Sequence, residues 1–270
     1  MRVRLLVSIV MSLLFCYVCE AQGALASPHN MEPGHAVQPR MLVYTKNGVG
    51  YVHANIPASV DALKRIGAEA GFAVDATQDP AAFSAENLER YAMIVFDNSN
   101  NEIFNTDAQR EALKGFVQHG GGVIGIHSAI GSERNWPWFA QMMGGRFRWH
   151  PVEQDFSVQV ADAGFPVVHG LAPTFTVHDE CYFNILLNPD IHPVLVTDRT
   201  ALAGLGKAPE PVTNFPNPLP LAWWHTFDGG REFYLALGHE PSMYAEPWFD
   251  GMLRRAMLWA AGRDETATKK

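Results

Sequence analysis

Imidazoles and carboxylates recur in this sequence where short apolar runs stop. His53 lies in "NGVGYVHANIP", Asp97 and Asn98 open "DNSNN", and His127 closes "GVIGIH". Further on come Asp179 and Glu180 in "VHDECYF", His225 in "WWHTF", and His239 with Glu240 in "LGHEP". Histidine changes charge near neutral pH and ligates metals through a neutral ring nitrogen, and a glutamate beside it can take or give a proton. His127, Glu180, His53 and His239 are therefore the candidate catalytic set. The same four are the candidate ligands should a divalent metal such as zinc be the cofactor. Asp179, His225, Trp223 and Asn98 stand behind them as candidate substrate contacts, Trp223 because a flat ring suits the C–H face of a sugar.

Each of these residues has a plainer alternative. His53 and His127 could cap helix starts, Asp97 could anchor the loop after its strand, and Asp179–Glu180 could be solvated turn acids. Carboxylates between "TFTV" and "CYFNI" must, however, be paired, hydrogen-bonded or close to open water. His150 and His192 each precede a proline and read as turn residues, and His119 and His169 as turn or surface residues. Trp223, Trp224, Tyr182, Trp149 and Trp136 read mostly as core, although some could form the aromatic floor of a sugar site.

The stretch "HGGGVIGIHSAIG" places His127 where many α/β enzymes carry a nucleophile, on a sharp turn after a buried strand. Histidine there suits a base or a ligand better than a covalent nucleophile. No G-x-S-x-G, no G-x-G-x-x-G opening a helix, no H-E-x-x-H and no C-x-x-C is present. The glycines of "GGGVIG" precede the strand, so they cannot cradle a phosphate at a helix start.

The elements that must position these groups follow from periodicity. "RMLVYTK", "FAVDAT", "YAMIVFDN" and "GVIGIHS" read as four buried strands, and "PASVDALKRIGAEAG" and "TDAQREALKGFVQHGGG" as amphipathic helices between them. Thr106 and Gln109 have capping-box spacing. Strand and helix in alternation predict a flavodoxin-like α/β fold, an open, mostly parallel sheet with helices on both faces. Ligands of such sheets bind beyond the carboxyl ends of the strands, which is where the polar set falls. The second half is less regular, with β-like runs "DFSVQVA", "TFTVHD", "HPVLVTD", "LPLAWWHTF" and "REFYLALGH" and a closing helix in "EPWFDGMLRRAMLWAAG". One domain over 40–263, elaborated by extra strands, is expected, with a polar tail at 264–270.

The start, "MRVRLLVSIVMSLLFCYVCEAQGALAS", has Arg2 and Arg4 before an apolar run and small residues around Ala24–Ala26. It reads as a secretory signal over 1–26, followed by a loose leader over 27–39, and the protein is expected to be exported, to the periplasm or beyond. Stable membrane insertion is not expected after cleavage. A formal charge of −8 over 270 residues argues against nucleic acid as a partner and leaves a small-molecule carbohydrate. Loss of the signal would remove two of three cysteines and leave Cys181, so an internal disulfide is not expected.

"GGGVIGIHSA", "MMGGRFRWHP", "HDECYF", "LAWWHTFDGGREFYLALGH" and "GMLRRAMLWAAG", in this order and spacing, resemble the ThuA-like, or trehalose-utilisation, family. The resemblance spans Met41 to Gly262. It implies the fold of class I glutamine amidotransferases without their chemistry, because the elbow reads "GIHSA" with no cysteine. It also implies a role in disaccharide catabolism, including routes through 3-keto sugars, and favours His53, His127, Glu180 and His239 as site residues. Cys181 stands where the family often has a bulkier residue, which bears on pocket size. The expected function is that of an exported carbohydrate-processing enzyme working by His/Glu acid–base chemistry, with or without a metal. A non-catalytic sugar-binding module and a metal-dependent hydrolase of another substrate class are the alternatives.

Overall fold

The computed structural model describes residues 38–263. The expected signal, nearly all of the leader and the polar tail lie outside the described residues. Among the described residues no helix is long and apolar enough to cross a membrane.

The first four strands are β1 (Arg40–Tyr44), β2 (Ala73–Thr77), β3 (Tyr91–Asp97) and β4 (Gly122–Ile126). Between them come α1 (Ile56–Glu69), the short α2 (Ala85–Leu88) and α3 (Asp107–Gln118). Then follow α4 (Pro137–Met143), β5 (Arg146–Trp149), β6 (Gln154–Val160), β7 (Thr174–Asp179), β8 (Phe183–Ile185), β9 (His192–Thr197), β10 (Leu219–Phe227), β11 (Gly230–Leu235) and α5 (Pro247–Ala260). Nine strands form one sheet in the order β2-β1-β3-β4-β11-β10-β9-β6-β7, and β5 pairs with β8 in a separate ribbon. The strands from β2 to β11 in that order run parallel, and the remaining neighbours pair antiparallel. This is the flavodoxin-like sheet, extended by antiparallel strands from the C-terminal half.

The inner parallel strands β1, β3 and β4 are apolar on both faces because both faces are covered, while the edge strand β2 is only partly buried. Met41, Val43, Met93 and Val95 point into one core with Leu63 and Ile66 of α1 and Phe249, Met252 and Leu253 of α5. Their neighbours Leu42, Tyr44, Ile94 and Phe96 point into the other, with Leu113 and Val117 of α3 and Phe139 and Met142 of α4. The alternation of strand side chains thus builds two cores around one sheet. The capping box of Thr106 and Gln109 starts α3 as expected.

The chain does not run from the elbow straight into a helix. His127–Gly131 forms a single 3₁₀ turn, and α4 waits until Pro137. In between, Ser132 bridges Asn101, and the buried Glu133 carboxylate accepts the amides of Ile103 and Phe104 at 2.9 and 3.0 Å. That binds the segment to the loop after β3. Proline at the first helical position then lets α4 begin.

Candidate functional site

Four side chains from four loops meet at the carboxyl edge of the parallel strands. His53 comes from the β1–α1 loop, His127 directly follows β4, Glu180 follows β7, and His239 lies beyond β11. One nitrogen or oxygen of each lies within 4.8 Å of the other three. His127 Nε2 is 3.2 Å from His53 Nε2, 3.4 Å from His239 Nδ1 and 3.4 Å from Glu180 Oε2. His239 Nδ1 and Glu180 Oε2 are 3.3 Å apart. The structure therefore brings together all four residues of the candidate catalytic set, and they are the residues that could hold a metal.

Local bonds fix each member. His127 has φ 51°, in the left-handed region that costs a non-glycine residue energy, so the surroundings must impose it. They do so through Tyr234, whose hydroxyl donates to the His127 carbonyl at 2.8 Å, and through the ring, whose Nδ1 donates to the Ala236 carbonyl at 2.8 Å. With its hydrogen on Nδ1, neutral His127 turns an Nε2 lone pair to the cluster. The Ser128 hydroxyl lies 3.2 Å from His53 Nδ1. Asp179, wholly buried, accepts the amides of Glu180 at 2.7 Å, Gly238 at 2.7 Å and His239 at 3.2 Å, clamping the loops that carry two site residues. Gly238 has φ 120°, and a Cβ there would come 2.8 Å from the Tyr244 hydroxyl, so this turn requires glycine. Asn55 donates to the carbonyl of Gly238 and, at 3.0 Å, to the side chain of Asn98, tying the β1, β3 and β11 loops together.

Electrostatics follow the packing. Burial opposes charge on Glu180, yet the imidazoles of His127, His239 and His150 around it hold its carboxyl well below the usual range. His239 is raised by its hydrogen bond to Glu180, against its partial burial. His53 is pushed down to about 3 by burial, with His127 and His239 adding to the effect. Burial raises Asp179, although its backbone amides pull the other way.

His53, Glu180 and His239 line a cleft of about 350 Å³, with the wholly buried His127 behind them. Tyr51, Phe147 and Tyr182 give it aromatic surface, and Asn100, Arg134 and His150 give it polar groups. Tyr182 and His150 also border it, although the sequence places Tyr182 mostly in the core and His150 in a turn. The Tyr182 hydroxyl donates to His127 Nε2 at 2.8 Å, and His150 Nε2 lies 3.5 Å from Glu180 Oε1. A larger cavity of about 540 Å³, bordered by Leu88, Phe116 and His119, opens at the opposite edge of the sheet, beside the starts of β3 and β4. It gathers no comparable set of groups, so size alone misidentifies the site.

The candidate substrate contacts are placed elsewhere. Asp179 is a backbone clamp. Asn98 is buried and bonded to Asp97 at 2.8 Å and to Tyr244 at 3.1 Å, with no part in the cleft lining. Trp223 is wholly buried with its indole N–H on the Met143 carbonyl at 3.0 Å, and His225 donates from Nε2 to the Met142 carbonyl at 2.8 Å. Both lie on β10, which runs against β11, so the end of β10 that holds His225 points away from the site edge. Cys181 is buried in the core with Phe183, where burial pushes its thiol up, and it does not border the cleft. Its size therefore has no bearing on the cleft.

Fold and site together define a flavodoxin-like α/β protein with three histidines and a glutamate gathered at the carboxyl edge of its parallel strands. The family described as ThuA, trehalose utilisation, matches residues 40–260, and the chain belongs to it. Among solved structures it is similar to a ThuA-like protein from Bacteroides uniformis ATCC 8492, at 23% identity and a TM-score of 0.66, covering 89% of this chain and 98% of that one. A ThuA-like protein from Parabacteroides merdae ATCC 43184 aligns at 20% identity and a TM-score of 0.63, over 83% of this chain and 90% of that one. A candidate GMP synthase component from Thermoplasma acidophilum shares the fold at 12% identity and a TM-score of 0.52, over 86% and 98%. No curated protein matches the chain.

Proposed function

We propose that this chain is an exported enzyme of sugar catabolism that acts on a disaccharide or its keto derivative, moving a proton next to a carbonyl. The observation that supports this most is the convergence of His53, His127, Glu180 and His239, three of which line an open cleft. Protons beside a carbonyl are acidic enough for an imidazole or carboxylate to remove, provided the developing oxygen charge is met by fixed polar groups. Arg134 and Asn100, donors on the cleft lining, meet that oxygen. His150 carries the proton: its Nδ1 donates to the Pro151 carbonyl at 2.8 Å, which leaves Nε2 as the ring atom free to take one up. The faces of Tyr51 and Phe147 suit the C–H faces of a pyranose, and Asn100 and Arg134 offer hydrogen bonds to its hydroxyls. Export rests on the basic and then apolar N-terminal stretch.

The test is turnover of 3-keto-trehalose, followed by NMR, with the wild type and His127→Ala. Product formation by the wild type that disappears in the variant supports the reading. Saturable binding of the keto-sugar with no turnover would make the protein a binding module instead. Turnover untouched by His127→Ala would remove the cluster from the chemistry.

A further inference from the structure

We infer that His53 Nε2, His127 Nε2, His239 Nδ1 and Glu180 Oε2 are the ligands of a single divalent transition-metal ion of the zinc class. This deepens the functional reading by naming what the cluster holds, and it rests on the same four residues as that reading.

The distances carry the inference. An ion bound tetrahedrally at roughly 2.0–2.1 Å holds its ligand atoms about 3.3–3.4 Å from one another. Four of the six edges are 3.2, 3.4, 3.4 and 3.3 Å, and the two others, from His53 to His239 and to Glu180, lie within 4.8 Å. His127, His239 and Glu180 thus already stand at the spacing of a shared ion, with His53 closing the fourth corner.

The chemistry of the contacts agrees. His127 Nδ1 is committed to the Ala236 carbonyl, so its Nε2 offers only a lone pair. Three neighbours crowd that one lone pair: His53, His239 and the Tyr182 hydroxyl. At most one of the three can donate to it, whereas one cation would satisfy the lone pairs of all three imidazoles at once. The far sides of the ligands are braced in the way metal ligands are. Ala236 O holds His127, Ser128 Oγ lies on His53 Nδ1, and His150 lies beside the second oxygen of Glu180. Glu153 and Glu240 each bring an oxygen within 4.8 Å of a ring nitrogen of His239.

Three imidazoles and one carboxylate select zinc or its first-row neighbours over magnesium and calcium, which prefer oxygen alone. His127 is then a ligand and not a base, which leaves proton transfer to His150. Once its acceptor lone pair is taken up, Tyr182 is free to donate to a substrate oxygen in the cleft.

The experiment uses the full chain, purified without chelators. Metal content is measured by inductively coupled plasma mass spectrometry, and zinc is titrated calorimetrically into protein stripped by dialysis, with 3-keto-trehalose turnover followed in parallel. One equivalent of zinc, iron, cobalt, nickel or manganese per folded chain is expected. Affinity should fall more than ~100-fold in His53→Ala and Glu180→Ala. Glu180→Gln and His239→Gln, which keep side-chain volume, guard against misfolding, and cobalt(II) loading should give the intense visible bands of a four-coordinate ion. Tyr182→Phe should keep the full equivalent. Folded wild type that binds none of these ions at micromolar concentration overturns the inference, as does binding unchanged in the ligand variants. Full turnover by metal-free protein overturns it while sparing the functional reading. One bound equivalent without turnover of any sugar supports it and overturns that reading.

Discussion

Replacing Asp179 with asparagine should loosen two walls of the cleft at once. The carboxylate accepts three amides, those of Glu180 and His239 on Oδ1 and that of Gly238 on Oδ2. An amide side chain has one acceptor oxygen, so whichever way it turns, its NH₂ meets a backbone N–H. An N–H stranded in this way costs about 1–3 kcal/mol, and the remaining bonds lose their charge assistance. Against this, burial raises Asp179, so neutralising it returns part of the cost of burying charge. The net loss should be about 1–3 kcal/mol, which for a domain of this size lowers Tm by about 3–10 °C. Glu180 and His239 would also lose their fixed backbone, and zinc affinity should drop about 10–100-fold. Thermal denaturation and a zinc titration read the two effects separately. Wild-type Tm together with wild-type affinity in Asp179→Asn would refute the clamp.

Asp97 makes a pH prediction of unusual sign. Burial raises its carboxyl to about 6, against hydrogen bonds from Ser59 at 2.6 Å and Asn98 at 2.8 Å. The folded state thus holds this proton more tightly than the unfolded chain does, so Asp97 favours folding below pH ~4 and this contribution is lost as pH rises through about 6. Asp97→Asn can accept from Asn98 and donate to Ser59, whose own hydrogen goes to the Ile56 carbonyl. Urea unfolding should find it more stable than wild type by about 1–3 kcal/mol at pH 8, with the advantage gone at pH 4. A constant difference across that range would contradict the assignment. Trp223→Ala should cost about 3–5 kcal/mol of stability and leave zinc stoichiometry at one, because the ring fills core away from the cleft; loss of zinc from folded Trp223→Ala would show otherwise. The Cys181 thiol should resist iodoacetamide until the protein is unfolded, as mass spectrometry of native and denatured samples can check.

The parallel half of the sheet was legible because β1, β3 and β4 alternate between two covered faces, Gly71 follows α1 and a capping box starts α3. His53, His127, Glu180 and His239 were legible for a related reason: β1, β4, β7 and β11 all end at the same edge. His225 and Trp223 were misplaced because an aromatic run reads alike in either direction, and only the antiparallel pairing of β10 with β11 shows which end meets the site. His150 does sit beside its proline, as expected of a turn. What brings it over the cleft is the pairing of β5 with β8, two short ribbons too weakly patterned to be seen in sequence. Tyr182 shares its sequence signature with any core tyrosine, and only its 2.8 Å bond to His127 sets it apart.

The most direct measurement is deuterium exchange at the carbons flanking the carbonyl of 3-keto-trehalose, followed by proton NMR in D₂O. It reports the proton transfer itself, whatever product follows. Wild-type protein should catalyse exchange, and Glu180→Gln and His150→Gln should bring it close to the uncatalysed rate. Exchange at background rate in the metal-loaded wild type, or undiminished exchange in both variants, would contradict the claim that this cleft moves protons on a sugar carbonyl.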